Sequence, residues 1–447
     1  MELCVNITQA IPNWILRYRE NLKSITMRGL TQVVGTLVPL FVLASQGASS
    51  FGLFSVLIAM AGLSVVMEWG LPIKVQNEIS RGCQAHEYNA RWFMLYSGFL
   101  LHLAVNLACA FGLWMLSSYW IVHLFPANVE QVLQQQGGVL LAIFVVAAAI
   151  GATYHGRSVL FGLGHIDAGF TLGMIASLAT LALVVLGVVA GVSTAMLSVL
   201  VAAAPLLDRV LACLYCFCRR AALPRHPSMP PPLVSRVSAR SGRSVALMFF
   251  YLQVLALFAS NIDSIWAARA NSFQSVGEYT FLLKLYGIPL LVAGILNSAS
   301  MPRLAVETHS ADDGGSSTVM ELLQSNFLMM VGAGLLIVLA ANLLYWLISG
   351  VTADLRPLAL LMLVDACLLA LRGALTTYVN AAEVLWLNVI GNTMFALAAI
   401  GLKVVLVDYH GIYGLVTANI VAYLLFLLPF HLVALRRGAA RSRGDMR

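Results

Sequence analysis

The sequence predicts an all-α, polytopic membrane protein of about twelve transmembrane helices, arranged as two six-helix parallel-repeat bundles around a central polar cavity. Three observations predict it. Of the 447 residues 60% are hydrophobic and the mean hydropathy is +0.88, more apolar surface than a water-soluble domain can hide. Apolar stretches of about 20 residues, the length of one helical bilayer crossing, recur along nearly the whole chain. Midway they are interrupted by "RRAALPRHPSMPPPLVSRVSARSGR", residues 219–243, too rich in proline to continue a helix.

Residues 1–23 read as an N-terminal segment on the cytoplasmic side. A basic amphipathic stretch, "RYRENLKSITMR", precedes the first apolar run and no small-residue cleavage site follows, so the first helix is expected to stay as an anchor. The first bundle, 24–218, holds spans at 24–45, 51–73, 92–115, 138–155, 169–190 and 193–217. The linker 219–243 reads as a cytoplasmic hinge. The second bundle, 244–435, holds spans at 244–268, 275–299, 322–348, 357–379, 384–406 and 411–435, and 436–447 is a basic tail. The longest external segment is 116–137.

Charge gives the orientation. With these spans, twenty basic residues from Arg17 to Arg447 fall on one face and only Arg269, Arg356 and Lys403 on the other, so both termini are expected in the cytoplasm. The net charge of +7 is mostly this asymmetry, and nucleic acid is not needed to explain it. The "CLYCFC" cysteines, Cys213, Cys216 and Cys218, have no second cluster to complete a metal site; neither metal, disulfide nor cofactor is expected.

The halves echo each other. "SSFGLFSVLIAMAGL" from Ser49 resembles "QSVGEYTFLLKLYGI" from Gln274 at an offset of 225, pairing Gly52 with Gly277 and Phe54 with Tyr279. "GVSTAMLSVLVAAA" from Gly191 resembles "GIYGLVTANIVAYL" from Gly411 at 220. Six helices per repeat leave both halves in one orientation.

Charged and polar residues inside the spans are the candidate site. An ionised side chain facing lipid costs at least ~2.5 to 3.5 kcal/mol, so such groups turn toward a cavity or a partner. On helix seven Gln253, Ser260, Asp263 and Ser264 share an arc of about 100°, and on helix one Arg28, Thr31, Gln32, Gly35 and Pro39 share a stripe. The 225 offset superposes the two stripes, which places helices one and seven on either side of the cavity. Lys284 lies midway along helix eight; Asp365 and Arg372 share a face of helix ten but stand about 10 Å apart, too far to pair. Arg28, Gln32, Gln253, Lys284 and Arg372 are thus candidates for an anionic ligand, and Asp263 and Asp365 for a coupling H+ or Na+. Arg28, Glu68, Arg269 and Arg372 also suit snorkelling from span ends, Asn388 and Asn392 interhelical hydrogen bonding, and Trp69, Trp120 and Tyr409 interfacial anchoring.

"FASNIDSIWAARANSFQSVGEYTFLLKLYGIPLLVAGILNSASMPRLA" resembles the start of the second half in the polysaccharide exporter group of the multidrug/oligosaccharidyl-lipid/polysaccharide flippase superfamily, through Asp263, Val276, Gly277, Tyr279 and Pro302. The stretch from Arg28 to Arg81, which passes Gly70 and Leu71, is similar to that group's opening hairpin. The resemblance implies a flippase, not an enzyme, that moves undecaprenyl-diphosphate-linked sugar repeat units across a bacterial inner membrane for exopolysaccharide, capsule or O-antigen synthesis. It implies partners as well: the lipid-linked oligosaccharide, membrane lipids, and polymerase and chain-length machinery. Of site residues it carries over Asp263 alone.

Other readings remain at this point. A major-facilitator carrier lacks support because its Gly-x-x-x-Asp-Arg loop is missing from "KVQNEISRGCQAHEYNAR". A multidrug extruder of the same superfamily would share the fold, which does not fix the cargo. A membrane polymerase or ligase would need a larger external loop, and no P-loop, His-Glu zinc pattern or Gly-x-Ser-x-Gly elbow occurs.

Overall fold

The computed structural model describes residues 13–72, 75–76, 85–163, 165–219, 250–251, 253–255, 257, 263–270, 272–307, 316–381 and 385–442. Among them, helices account for nearly all of the chain and no strand occurs. In order they are α1 (Asn13–Ala61), α2 (Ala85–Met115), α3 (Ser117–Leu124), α4 (Ala127–Gln135), α5 (Gly137–Ala152), α6 (His155–Gly162), α7 (Ile166–Val189), α8 (Thr194–Ala202), α9 (Ala204–Arg219), α10 (Asp263–Ala270), α11 (Phe273–Glu307), α12 (Ser316–Ser349), α13 (Arg356–Ala381), α14 (Leu385–Ala422) and α15 (Leu428–Ser442).

Eight helices among the described residues are long and apolar enough to cross a membrane, nine if the bent pair 99–124 is one span. Two of the eight are too long for one bilayer and turn back on themselves. α1 breaks at Gly47 (φ 80°, ψ 170°), and α14 at Gly411 (φ 58°, ψ −135°). Both are backbone conformations open to glycine and closed to side chains with a Cβ. Each helix therefore supplies two spans. With the bent pair counted as one span, these two additions bring the crossings among the described residues to eleven, in line with the about twelve read from the sequence; about half of the span expected at 244–268 lies outside the described residues.

Three elements differ from the uninterrupted spans predicted. The second span stops being α-helical at Ala61 and continues as a seven-residue 3₁₀ turn, Gly62–Glu68, closed by Trp69 in the left-handed region at φ 54°. The sixth span divides at Ala203 into α8 and α9, and the fourth at Thr153 into α5 and α6. Residues 116–137, read as an external loop, form the short helices α3 and α4, where Val129 and Leu133 are buried.

Packing divides along the chain. α1 carries α7 and α8, α2 carries α5, and α9 carries α6 and α7; in the second half α11, α12 and α13 pack together and α14 packs on α10 and α13. The first-half elements meet the second half mainly through α1, which touches α10, α11 and α12. The seam is the crossing of the returning limb of α1 with α11. There a Cβ on Gly52 would lie 1.6 Å from the Phe273 carbonyl oxygen, and one on Gly277 2.5 Å from that of Ala48. Ala48 and Phe273 differ by 225, as do Gly52 and Gly277, so the contact is reciprocal, the form a two-fold-related interface takes. The crossing lies where α1 turns back, at the end of the molecule opposite the chain termini. Phe51, Phe54, Phe281, Tyr286 and Tyr345 fill the core around it. Leu335, Leu336, Leu339, Leu343 and Leu347 of α12 face outward, as a helix bordered by lipid requires.

Candidate functional site

The deepest charge in the second half is an ion pair that spans 140 residues of sequence. Asp263 opens α10 and is buried, and its Oδ1 accepts a hydrogen bond from Lys403 Nζ at 2.5 Å. Oδ2 accepts from the Tyr279 hydroxyl at 3.2 Å and from Asn419 Nδ2 at 3.1 Å. Lys403 has no solvent-accessible surface. Its carbon stem packs in the limb of α14 before Gly411, and Asn419 comes from the limb after it, so the glycine turn brings both to one carboxylate. Taking two charges out of water is tolerable only where geometry and extra hydrogen bonds compensate, and three donors on one carboxylate meet that condition.

The other second-half candidates lie near this pair without joining it. Asp365 on α13 is half-buried and within electrostatic reach of Asp263, Lys403 and Arg372. Arg372 does not bond Asp365; it donates from Nη2 to Asn392 Oδ1 at 2.6 Å and lies over the Phe395 ring at 4.6 Å. Asn392 in turn donates to the carbonyl of Asn388 at 2.7 Å. A second amide pair, Asn326 Nδ2 to Asn297 Oδ1 at 2.8 Å, ties α12 to α11. Such amides hold helices together where no water competes.

A second cluster sits in the first half. Arg209 on α9 donates to Glu68 through Nη2 and to the Ile150 carbonyl through Nη1 at 2.5 Å. Its neighbour Asp208 points elsewhere on the helix and accepts from Arg157 Nη1 at 2.6 Å. The 3₁₀ turn that ends at Glu68 leaves its last carbonyls without helical partners. Asn106 Nδ2 donates to the Met67 oxygen at 3.0 Å and His102 Nε2 to the same oxygen at 3.0 Å, while Trp69 Nε1 returns a bond to Asn106 Oδ1 at 2.9 Å. Gly151 permits this approach, since a Cβ there would stand 2.7 Å from the Met67 oxygen.

Several placements differ from the sequence expectation. Asp263 points into its own half, toward Lys403, instead of across to helix one. Lys403, counted with the charges of the outer face, is wholly buried. Glu68 does not snorkel: it is 7% exposed and ion-paired. Trp69 is half hydrogen-bonded structure as well as surface, stacked on Phe250 at 5.4 Å. Arg269 does lie at a helix end, in a two-pronged pair with Asp408 at 2.9 and 3.1 Å.

The remaining candidates are not brought together into one cluster among the described residues. Gln32 is exposed on α1, and Gln253 is half-buried with its Oε1 enclosed and unbonded. The side chain of Arg28, and Ser260, lie outside the described residues. Lys284 is half-buried on α11 and has no hydrogen bond or ion pair among the described residues. Seven residues after Gly277, it lies about 20° from it around the helix and about 10 Å further toward the terminal end. The face of α11 that meets α1 at the crossing therefore carries an ammonium group below it.

No protein-family profile matches the chain, and no curated protein matches its sequence. Solved structures do match in fold. A structure titled "Lipid II flippase MurJ, inward closed conformation" superposes with a TM-score of 0.67 at 9% identity, covering 92% of this chain and 88% of that one. Two multidrug resistance MATE family transporters of the MOP superfamily match over 95% and 93% of this chain and 96% and 99% of theirs. The outward-facing one has a TM-score of 0.60 at 12% identity, the inward-facing one 0.58 at 14%. The chain has the fold these transporters share, and it is a multi-pass membrane protein.

Proposed function

We propose that this chain is a flippase of a bacterial inner membrane that carries undecaprenyl-diphosphate-linked oligosaccharide repeat units from the cytoplasmic to the outer leaflet. One observation carries the reading: Lys284, an ammonium without an ionic partner among the described residues, on the face of α11 that runs down from the crossing with α1. Lysine binds phosphate as a point charge. A group held there by its diphosphate would have its sugars between the two halves, with the isoprenoid tail left in lipid. In this reading Gln32 and Gln253 are the further polar groups, and Arg28 and Arg372 the further cations, for the headgroup. The likeness to a lipid II flippase supports a lipid-linked cargo, and the excess of basic residues on one face supports cytoplasmic termini.

In this mechanism the bundles 24–218 and 244–435 rock relative to each other about the linker 219–243, which beyond Arg219 lies outside the described residues. The crossing of Gly52 with Gly277 closes one end while the other admits substrate. Polymerase and chain-length proteins would take the product.

The test is reconstitution in liposomes with a diphosphate-linked oligosaccharide lipid, following its exposure in the opposite leaflet with and without an imposed ion gradient. Transbilayer movement that is lost in Lys284→Ala supports the proposal. Extrusion of small organic cations with no lipid movement overturns it in favour of drug export, the activity named for the MATE transporters of like fold.

A further inference from the structure

The Asp263 cage has the composition of a cation site. It offers two carboxylate oxygens, the Tyr279 hydroxyl and the Asn419 amide, whose own Oδ1 is enclosed and accepts no hydrogen bond. A second carboxylate, Asp365, stands within electrostatic reach. Hard cations are held by oxygen sets of this kind, carboxylate, hydroxyl and amide carbonyl. Into this set projects Lys403 Nζ, 2.5 Å from Asp263 Oδ1, on a side chain with no exposed surface.

We infer that the Lys403 ammonium is the resident cation of this cage, a tethered substitute for a monovalent metal ion, and that sodium does not bind here while Lys403 is present. Three consequences follow from charge and space. The ammonium and a sodium ion would compete for the same Asp263 oxygens, and two cations a few ångströms apart in a water-poor interior repel strongly. The tether sets the local concentration of the ammonium far above that of any free ion. Removing the amine while keeping the apolar stem should leave a vacant, oxygen-lined site bearing one or two negative charges, which a free monovalent cation would then fill.

The inference deepens the transport reading at one point only, by naming the ion that the cage does not sense. Its test measures binding, so it stands or falls separately from flippase activity. The full-length chain, its Lys403→Met variant and the Asp263→Asn/Lys403→Met double variant are purified, and 22Na+ binding and thermal unfolding are measured in sodium against choline at constant ionic strength. The parent should show no sodium-specific binding and no sodium-specific shift in Tm. Lys403→Met should bind 22Na+ and gain a Tm rise that grows with the logarithm of sodium concentration, the form expected when a ligand binds only the folded state. The double variant, with both charges gone, should lose both responses. Sodium binding by the parent that disappears in Asp263→Asn overturns the inference, as does a folded Lys403→Met that binds no sodium. Should Lys403→Met fold only in sodium, that supports it. Should it fold in no cation, the parent and its Asp263→Asn variant decide: Asp263-dependent sodium binding refutes the tethered-cation assignment, and its absence upholds it.

Discussion

Gly52→Ala would test whether the α1–α11 crossing opens. The added methyl would lie 1.6 Å from the Phe273 carbonyl oxygen, about 1.8 Å short of an ordinary 3.4 Å contact. That oxygen belongs to the first residue of a helix and cannot swing aside as a flexible side chain can. Overpacking of this kind costs about 1 to 3 kcal/mol. The penalty applies only while the two helices touch, so it should shift the balance toward the state open at this end by about 5- to 150-fold. Gly277→Ala has the smaller shortfall, 2.5 Å against the same 3.4 Å, and should shift it less. A cysteine replacing Val276, a residue with no exposed surface beside Gly277, reports the opening in an otherwise cysteine-free chain. Its labelling by a membrane-impermeant thiol reagent from the side opposite the termini should accelerate at least about 5-fold in Gly52→Ala. An unchanged rate at equal folded yield would refute the reasoning. Loss of the folded protein would show that the crossing is permanent packing.

Lys284→Ala should weaken transport of a diphosphate lipid below saturation by about 10- to 150-fold, the equivalent of a charged hydrogen bond of ~1.5 to 3 kcal/mol, while Lys284→Arg retains most of it; equal rates in proteoliposomes would remove Lys284 from the site. Arg209→Met leaves the enclosed Glu68 carboxyl group without its partner and should cost about 3 to 5 kcal/mol in unfolding, with much of the loss recovered in Glu68→Gln/Arg209→Met. A double variant no more stable than the single one would show that the pair contributes little. Gly411→Ala forces a Cβ into φ 58°, ψ −135°, and should cost about 1 to 3 kcal/mol and loosen Asn419 from Asp263; an unaltered Tm in detergent would contradict the glycine requirement.

The crossings were legible because apolar length is a local property, and bilayer thickness translates it directly into helices. The reversals between paired spans were legible too, and the irregularities inside spans were not. The breaks at Gly47 and Gly411 fall where the spans 24–45 and 51–73, and 384–406 and 411–435, are separated, whereas Gly35 and Gly401 lie inside spans and adopt no left-handed conformation. The 3₁₀ turn at Gly62–Glu68 depends on Asn106 and His102, 39 and 35 residues from the Met67 carbonyl they satisfy. The 225 offset, by contrast, carried three-dimensional information: it relates the four residues of the Gly52–Phe273 and Gly277–Ala48 contacts, which no periodicity within one helix would disclose.

The charges show where such reading runs out. Helical projection fixes the side of its own helix on which a residue stands, but not which neighbour that side meets. Asp263 was assigned to a face shared with Gln253 and so to the cavity, whereas its partner is Lys403, 140 residues on and close enough to a span end to pass for a loop charge. A low-dielectric interior rewards whatever opposite charge can reach, at any sequence distance. Glu68 with Arg209 and Asp208 with Arg157 obey the same rule. Once these pairs are removed, the cations left to meet an anionic ligand are fewer than the sequence suggests. Lys284 gains weight in the proposed reading accordingly: where most charges are neutralised within one half, an ammonium with no ionic partner among the described residues is the cation we propose for a ligand between the halves.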